Sequence, residues 1–167
     1  MKTMRVIAMG AALVMYLAAF TSFTANGAFS GSIAGDVRLN LHGGAKFGTV
    51  DGRGRAPAVF TISLGAGNTD GSVLFTRSDG RRLTAGMYRI TGNGDGTDRL
   101  RALVMTGSAE RPTGVFRGQS GTLVITSVSD NLIRGSYQVD ATGFLANDPA
   151  AEDQNIRATG AFTAVRD

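Results

Sequence analysis

The 167-residue chain has no cysteine, no tryptophan and only one histidine. Without cysteine it cannot form disulfides or thiolate metal sites, and it cannot carry a lipid on a cysteine side chain. Without tryptophan it lacks the best platform for stacking sugars and bases. These absences exclude several kinds of binding and catalytic site, but they are compatible with export from the cytoplasm.

The charge of the chain is nearly balanced once its first residues are set aside. The formal net charge is +4, but Lys2 and Arg5 precede an apolar run, and the remaining chain carries 15 basic and 13 acidic residues. This balance does not predict a nucleic-acid partner. Apart from Lys46, the later basic residues are all arginines. Their scatter is typical of solvated surface positions, although arginine also holds carboxylates or phosphates with two hydrogen bonds.

The segment VIAMGAALVMYLAAFTSF, Val6–Phe23, contains no charged residue. Its 18 residues exceed the usual apolar core of a secretion signal and approach the length that spans a bilayer. We expect residues 1–27 to form a hydrophobic, membrane-anchoring helix, with residues 28–167 as one β-domain on the periplasmic side of the inner membrane. The alternative is a signal peptide cleaved near Gly27, which would release a soluble periplasmic or secreted domain.

From Phe29 onward, apolar and polar residues alternate with a period of two, as in half-buried β-strands. Ile33, Val37, Leu39 and Leu41 fall on one face of the first such segment. Asp-Gly dipeptides, which tolerate the positive φ of tight turns, separate several segments. The pattern predicts an all-β fold, a single antiparallel β-sandwich or barrel of about eight or nine strands. The further predicted strands are Ala58–Leu64, Ser72–Thr76, Met87–Thr91, Leu100–Met105, Val115–Arg117, Thr122–Val128, Leu132–Ala141 and Ile156–Val165.

The stretch TGNGDGTD, Thr91–Asp98, matches part of the pattern of a calcium-binding loop. When it is aligned on its central glycine with an EF-hand loop, Asn93 and Asp95 occupy ligand positions. Thr91 and Ala102 then stand where two acidic ligands are required. A Gly/Asp-rich hairpin turn is the simpler interpretation.

No arrangement in the sequence has the pattern of a catalytic site. His42 stands before two glycines, as a solvated turn residue at the end of a predicted strand. GQSG, Gly118–Gly121, is one residue shorter than the nucleophile motif G-x-S-x-G. The only two glutamates, Glu110 and Glu152, lie in loop-like contexts, whereas glycoside hydrolysis needs two inward carboxylates. We expect no enzymatic activity, no cofactor and no bound metal.

The most recurrent polar feature of the sequence is a pair of arginines after an Asp-Gly turn, which occurs twice. DGRGRAP and DGRR each place two arginines directly after an Asp-Gly turn, namely Arg53 with Arg55 and Arg81 with Arg82. If the two loops share one end of the fold, these side chains form a positive rim that can hold a partner. Otherwise they are solvated loop charges. These four arginines are the candidate partner-binding residues.

The segment FRGQSGTLVITSVSDNLIRGSYQVDATGF, Phe116–Phe144, resembles a type of small exported bacterial β-domain. In that type a "GTL.I.S" strand turns into a "G.Y.V.A.G" strand. The sequence is also similar in style to membrane-extrinsic accessory subunits of bacterial photosynthetic reaction centre–antenna complexes. The resemblance implies an all-β exported domain without enzymatic activity, and it carries over no site residues.

Together these observations favour a non-enzymatic accessory subunit on the extracytoplasmic face of a membrane protein complex. The resemblance points to a photosynthetic reaction centre–antenna complex. The expected partners are other subunits of that complex, and the membrane itself through residues 6–23 if these are not cleaved. The alternative function is that of a soluble periplasmic or secreted β-domain that binds a small apolar or glycan ligand in a barrel mouth.

Overall fold

A computed structural model describes residues 27–52, 57–66, 70–92, 99–108, 110–146 and 153–167. Apart from Gly27, the predicted amino-terminal helix lies outside these ranges. Within them there is no helix long and apolar enough to cross a membrane. The all-β prediction is confirmed, because nine strands form one sheet. They are β1 (Ala28–Gly35), β2 (Leu39–Val50), β3 (Val59–Ala66), β4 (Gly71–Arg77), β5 (Gly86–Thr91), β6 (Arg99–Ser108), β7 (Arg111–Ser129), β8 (Leu132–Leu145) and β9 (Gln154–Arg166).

The order of strand pairing closes on itself. It runs β1-β2-β3-β4-β6-β5-β7-β8-β9, and β9 pairs with β1 from Ala28 opposite Thr163 to Gly35 opposite Ile156. Most pairs are antiparallel, as predicted. Two short parallel ladders are exceptions, one between β5 and β6 and one between β2 and β9. Since each of the nine described strands has a neighbour on both sides, this part of the chain leaves no long sheet edge open.

The prediction of one continuous first strand is wrong, because this segment folds into two strands joined by a turn. β1 ends at Gly35, which has a φ of +116°, and β2 begins at Leu39. The backbone N–H of Asp36 donates to the carbonyl of Asn155, and the N–H of Asn155 donates to the Asp36 carboxylate at 2.7 Å. These contacts with the start of β9 hold the turn in place. His42 does not end a strand either, since β2 continues past it to Val50.

The two strands predicted at Val115–Arg117 and Thr122–Val128 are parts of one long strand, β7. Its register shifts twice, between Gly118 and Ser120 and between Ile125 and Ser127. β8 pairs with β7 on one side throughout. On the other side the neighbour changes at the first shift, because the first half of β7 pairs with β6 and the second half pairs with β5. A β-bulge of this kind redirects a strand and resets which side chains face inward.

The core lies inside the closed sheet and consists of the inward members of the alternating pattern. The rings of Phe75 on β4 and Tyr137 on β8 meet edge to face, with centroids 5.5 Å apart. Large apolar side chains occupy the interior. The largest fully buried side chains are Phe75, Phe116, Ile62, Leu64, Leu83, Ile90, Leu100, Leu123, Ile133, Val73, Val104 and Val139.

One end of the closed sheet, which we call the Gly27 end, gathers the start of β1 and several chain reversals. A Cβ on Gly27 would overlap the carbonyl oxygen of Ala45 on β2, so the chain enters β1 through a tight gap between β2 and β9. The end of β9 is fixed at this end, because the N–H of Arg166 donates to the carbonyl of Asn131 in the β7–β8 turn. Asp167 donates in the same way to Phe47 on β2.

Candidate functional site

The two connections that are predicted to carry paired arginines meet at the Gly27 end. Gly80, with a φ of +66°, packs so closely that a Cβ on it would lie 2.9 Å from the carbonyl oxygen of Ala58. Ala58 closes the β2–β3 connection, and Gly80 belongs to the connection that follows β4. The Asp79-Gly80 turn does not form a hairpin, because β4 pairs with β6 and not with β5. Arg53 and Arg55 themselves lie outside the described residues.

Arg77 and Asp79 form an ion pair beneath this turn. The Nε of the buried Arg77 lies 2.7 Å from Asp79 Oδ1, and its Nη2 donates to Oδ2 at 2.8 Å. The N–H of Arg81 donates to the same carboxylate at 3.0 Å. Burial raises the pKa of the Asp79 carboxyl, but the hydrogen bonds and positive charges of Arg77 and Arg81 outweigh it and lower the pKa below its ordinary value. The Asp79 carboxylate therefore stays ionised and stabilises the turn through these contacts.

Arg81 and Arg82, which the sequence pairs, have different environments. Arg81 is exposed, as a partner-binding residue must be. The Arg82 guanidinium lies over the Phe47 ring, 4.8 Å from its centroid, and donates to the carbonyls of Ser129 and Asp130. Arg82 thus joins the connection after β4 to β2 and to the β7–β8 turn. Its role in the fold is structural, whatever it contributes to a partner.

A pocket of about 550 Å³ opens beside Arg82 at the Gly27 end. Its lining includes Lys46, Phe60, Arg166 and Asp167. The Nζ of Lys46 donates to the Asp167 carboxylate at 2.7 Å, so this pair is internally neutralised although both side chains are exposed. The pocket is mixed in charge and is not a ready-made anion site.

A second indentation, which we call the outer crevice, lies on the outer wall of β4, β6, β7 and β8. It has a volume of about 480 Å³. The residues that line it are Leu74, Thr76, Gly92, Arg101, Ala102, Leu103, Val115, Arg117, Gly118, Thr142, Gly143 and Phe144. Most of this lining is apolar, and Phe144 is 50% exposed. Its dimensions and composition are those of a small-molecule site.

The shape of the outer crevice follows from the course of β7. β7 pairs with β6 only as far as Leu103 opposite Arg117, and its pairing with β5 begins at Ser120. The sheet therefore opens where the three strands diverge. The lining includes the buried residues Ala102 and Gly118, so the floor of the crevice is the wall of the sheet itself.

Pattern reasoning missed the outer crevice, although the sequence contains a signal for it. Val73, Leu74 and Phe75 are consecutive apolar residues, and so are the four residues of Ala102–Met105. Strict alternation would leave the outward members of these runs polar. Apolar residues on both faces of two paired strands indicate that the outer face also makes contacts.

A buried polar group of the interior, the Tyr137 hydroxyl, has no hydrogen-bond partner among the described residues. The Tyr137 side chain is only 4% exposed. It lies against the backbones of Gly31 and Gly160, where Cβ atoms would come within 2.8 Å of it. Burial raises the pKa of this hydroxyl well above its ordinary value. The phenol is therefore neutral at physiological pH.

The other predicted features are spread over the fold. His42 is exposed in the middle of β2, opposite Ser30. The described ranges contain no group of three or more histidine, aspartate or glutamate side chains that could hold a metal ion. GQSG lies at the bulge of β7, and residues 93–98 of the TGNGDGTD segment lie outside the described part of the chain.

Comparison with families of known proteins, with curated proteins and with solved structures finds no match to this chain. Inferences about its function therefore depend on its own residues.

Proposed function

We propose that this chain is a non-enzymatic accessory subunit that packs on the extracytoplasmic face of a membrane protein complex. The observation that carries the proposal is the gathering of three features at the Gly27 end. The start of β1 follows the apolar segment Val6–Phe23, Arg81 is exposed there, and Ala58 brings the end of the β2–β3 connection against Gly80. An anchor at residues 6–23 would hold this end towards the membrane, and Arg81 would then face a membrane-embedded partner, with Arg53 and Arg55 as further candidate contacts.

The filled interior supports a role based on the outer surface. We infer that the closed sheet is a barrel and not a sandwich, because its strand pairings form a complete cycle. Bulky side chains that are almost fully buried, such as Phe75 and Phe116, occupy its interior. A ligand in the barrel mouth would have to displace them, so this packing favours external contacts over the barrel-mouth alternative.

The style of the sequence as a whole favours one complex in particular. It is similar to that of membrane-extrinsic accessory subunits of bacterial photosynthetic reaction centre–antenna complexes. The complex to test first is therefore a photosynthetic one.

The experiment compares two double variants of equal charge change. Arg53→Ala with Arg55→Ala removes two candidate contacts, whereas Arg38→Ala with Arg111→Ala removes two exposed charges near the opposite end of the sheet. We expect only the first pair to reduce co-purification with the native complex, and the remaining binding to weaken further at high salt. Arg82 is left intact because its loss would disturb the fold.

Equal recovery of both double variants with the complex, at low and at high salt, would contradict the proposed role of the arginines. Anchoring is tested separately by the intact mass of the chain isolated from membranes. A chain that begins near Ala28 would favour the alternative of a soluble periplasmic or secreted binding domain. The outer crevice is the observation that favours this alternative.

A further inference from the structure

We infer that Arg89 on β5 and Arg99 on β6 form a binding site for a phosphate group on the outer face of the sheet. The site includes none of the four candidate partner-binding arginines, so it goes beyond the proposed subunit function. The inference rests on the register of the two strands, on the charges around them and on the chemistry of the guanidinium group.

The two arginines lie side by side on the sheet. β5 and β6 run parallel at this point, and Arg89 lies directly opposite Arg99. Both residues are exposed, and each is followed by a buried residue, Ile90 or Leu100, so both side chains project from the outer face. Neighbouring strands are about 4.8 Å apart, a separation at which two long side chains can reach the same small group.

The pairing of two arginines costs free energy, because like charges directly opposite each other on a sheet repel. In the described ladders this is the one pair of like-charged residues, whereas Asp140 lies opposite Arg157 and binds it at 2.6 Å. Neither Arg89 nor Arg99 makes a hydrogen bond or an ion pair with a described residue. An anion held between the two guanidinium groups would remove the repulsion.

The other outward neighbours of Arg89 are uncharged. On its second side Arg89 is paired with Thr122 of β7, and Thr122 is paired in turn with Gln138 of β8. The residues two positions before and after Arg89 on β5 are Met87 and Thr91. The Thr122 hydroxyl makes no hydrogen bond with a described residue, so it is available to donate to a ligand held at the arginines.

The arrangement suits a phosphate group better than a carboxylate. A carboxylate has two oxygens, which a single guanidinium group satisfies with two parallel hydrogen bonds. A phosphate monoester has three terminal oxygens and carries about −1.5 to −2 charges at pH 7, so it can bridge two guanidinium groups and balance both. Arginine binds phosphate in this bidentate way, whereas lysine does not. The ligand is therefore a phosphate group, either free or in the headgroup of a lipid.

The test titrates the full chain, isotope-labelled at arginine and held in phosphatidylcholine nanodiscs, with inorganic pyrophosphate. NMR signals of the arginine Nε–H groups report binding, and sodium chloride at the same ionic strength is the control. We expect saturable shifts at Arg89 and Arg99 that chloride does not produce. Arg99→Gln should weaken pyrophosphate binding at least about tenfold, the factor that one charge-assisted hydrogen bond supplies.

Two further variants separate a bidentate site from general attraction of anions. Arg134→Gln removes an exposed arginine of β8 that is paired with Ser127 and Thr163, and it should bind pyrophosphate like the unaltered chain. Arg99→Lys keeps the charge but not the paired donors, so its affinity should be intermediate. Because Arg99→Gln also removes the repulsion from Arg89, its thermal stability should be at least that of the unaltered chain.

Nanodiscs that contain phosphatidic acid distinguish the two sources of phosphate. If the ligand is a lipid headgroup, the Arg89 and Arg99 signals shift on these nanodiscs before pyrophosphate is added, and pyrophosphate then binds more weakly because it competes with the lipid. If the ligand is a free phosphate, the two kinds of nanodisc give the same signals and the same affinity for pyrophosphate. Either result supports the phosphate site and identifies its source.

The inference is wrong if neither pyrophosphate nor phosphatidic acid shifts the Arg89 and Arg99 signals. Equal weakening of pyrophosphate binding in Arg99→Gln and Arg134→Gln would also overturn it, because net charge alone would then explain the effect. A short polyglutamate peptide that shifts both signals when pyrophosphate does not would identify a protein-docking surface instead. None of these results depends on the arginines of the Gly27 end, so failure here is distinguishable from failure of the subunit proposal.

Discussion

The Arg82 guanidinium lies over the Phe47 ring, with 4.8 Å between the guanidinium carbon and the ring centroid. The same group donates hydrogen bonds to the β7–β8 turn, so it joins three segments that are distant in sequence. We expect Arg82→Ala to lower the free energy of unfolding by about 1–3 kcal/mol, because a cation–π contact and charged hydrogen bonds are lost. Urea denaturation measures this change.

Arg81→Ala is the matched control for Arg82→Ala. Arg81 is adjacent and exposed, and its backbone N–H, which binds Asp79, is retained in the variant. Its free energy of unfolding should stay within about 0.5 kcal/mol of the unaltered chain. Equal stability of the two variants would show that the Arg82 contacts contribute nothing to the fold.

The Arg77–Asp79 ion pair predicts a loss of stability in acid. Asp79→Asn leaves the buried Arg77 without its counter-charge, so at pH 7 the free energy of unfolding should fall by about 1–3 kcal/mol. Because the folded state lowers the pKa of Asp79, the stabilisation is present above the ordinary carboxyl pKa and is lost as the pH falls through the lowered value. The two stability curves should begin to converge as the pH falls below about 4.

Denaturation series between pH 2 and pH 7 measure this convergence, and Asp130→Asn serves as the control. Asp130 is exposed in the β7–β8 turn, and among the described residues its carbonyl, and not its carboxylate, accepts a hydrogen bond. A constant difference between Asp79→Asn and the unaltered chain over this pH range would mean that the carboxylate charge is not the stabilising feature.

Tyr137→Phe should leave the fold as stable at pH 7 or more stable by up to about 1 kcal/mol, because it removes a buried hydroxyl that has no hydrogen-bond partner in the described part of the chain. In alkali the unfolded tyrosine ionises near pH 10 while the folded one, with its raised pKa, does not. The unaltered chain should therefore lose up to about 1.4 kcal/mol per pH unit above pH 10 relative to the variant. Parallel stability curves above pH 10 would contradict the burial of this hydroxyl.

Gly160→Ala tests the close packing of β8, β9 and β1. A Cβ there would lie 2.5 Å from the Ser30 carbonyl oxygen and 2.8 Å from the Tyr137 hydroxyl, so we expect a loss of about 1–3 kcal/mol. Gly48→Ala is the control, because its Cβ would meet only a side-chain atom at 3.7 Å, and it should change stability by less than about 1 kcal/mol. Thermal denaturation of both variants compares them. A Gly160→Ala variant as stable as Gly48→Ala would show that this region adapts to added volume.

Most strands could be predicted because their signal is local. The alternation in Ile156–Val165, for example, directly reflects which side chains face the core, and β9 spans the same residues. The errors occur where a distant contact ends a strand or a bulge prolongs it. Asp36 turns the chain because Asn155 holds it, and β7 continues through Gly118 because β8 pairs with it on both sides of the bulge.

For the candidate sites, too, some features have a local sequence signal and others depend on distant contacts. The sequence suggested that the arginines after Asp-Gly turns belong together, and the packing of Ala58 against Gly80 is compatible with this. It could not distinguish Arg81 from Arg82, because the partners of Arg82 are 35 or more residues away in the chain. The outer crevice requires three strands to diverge at one point, and no local pattern encodes that point.

The sequence by itself determined the class of the fold and the approximate number of strands, because the period of apolar residues depends only on neighbours along the chain. It also determined what the chain cannot use, such as thiols and tryptophan stacking. Only the tertiary structure decided that the sheet closes, that Arg82 is structural and that Leu103 and Arg117 share a crevice. These features depend on strand order and register, which are selected by packing between residues far apart in sequence.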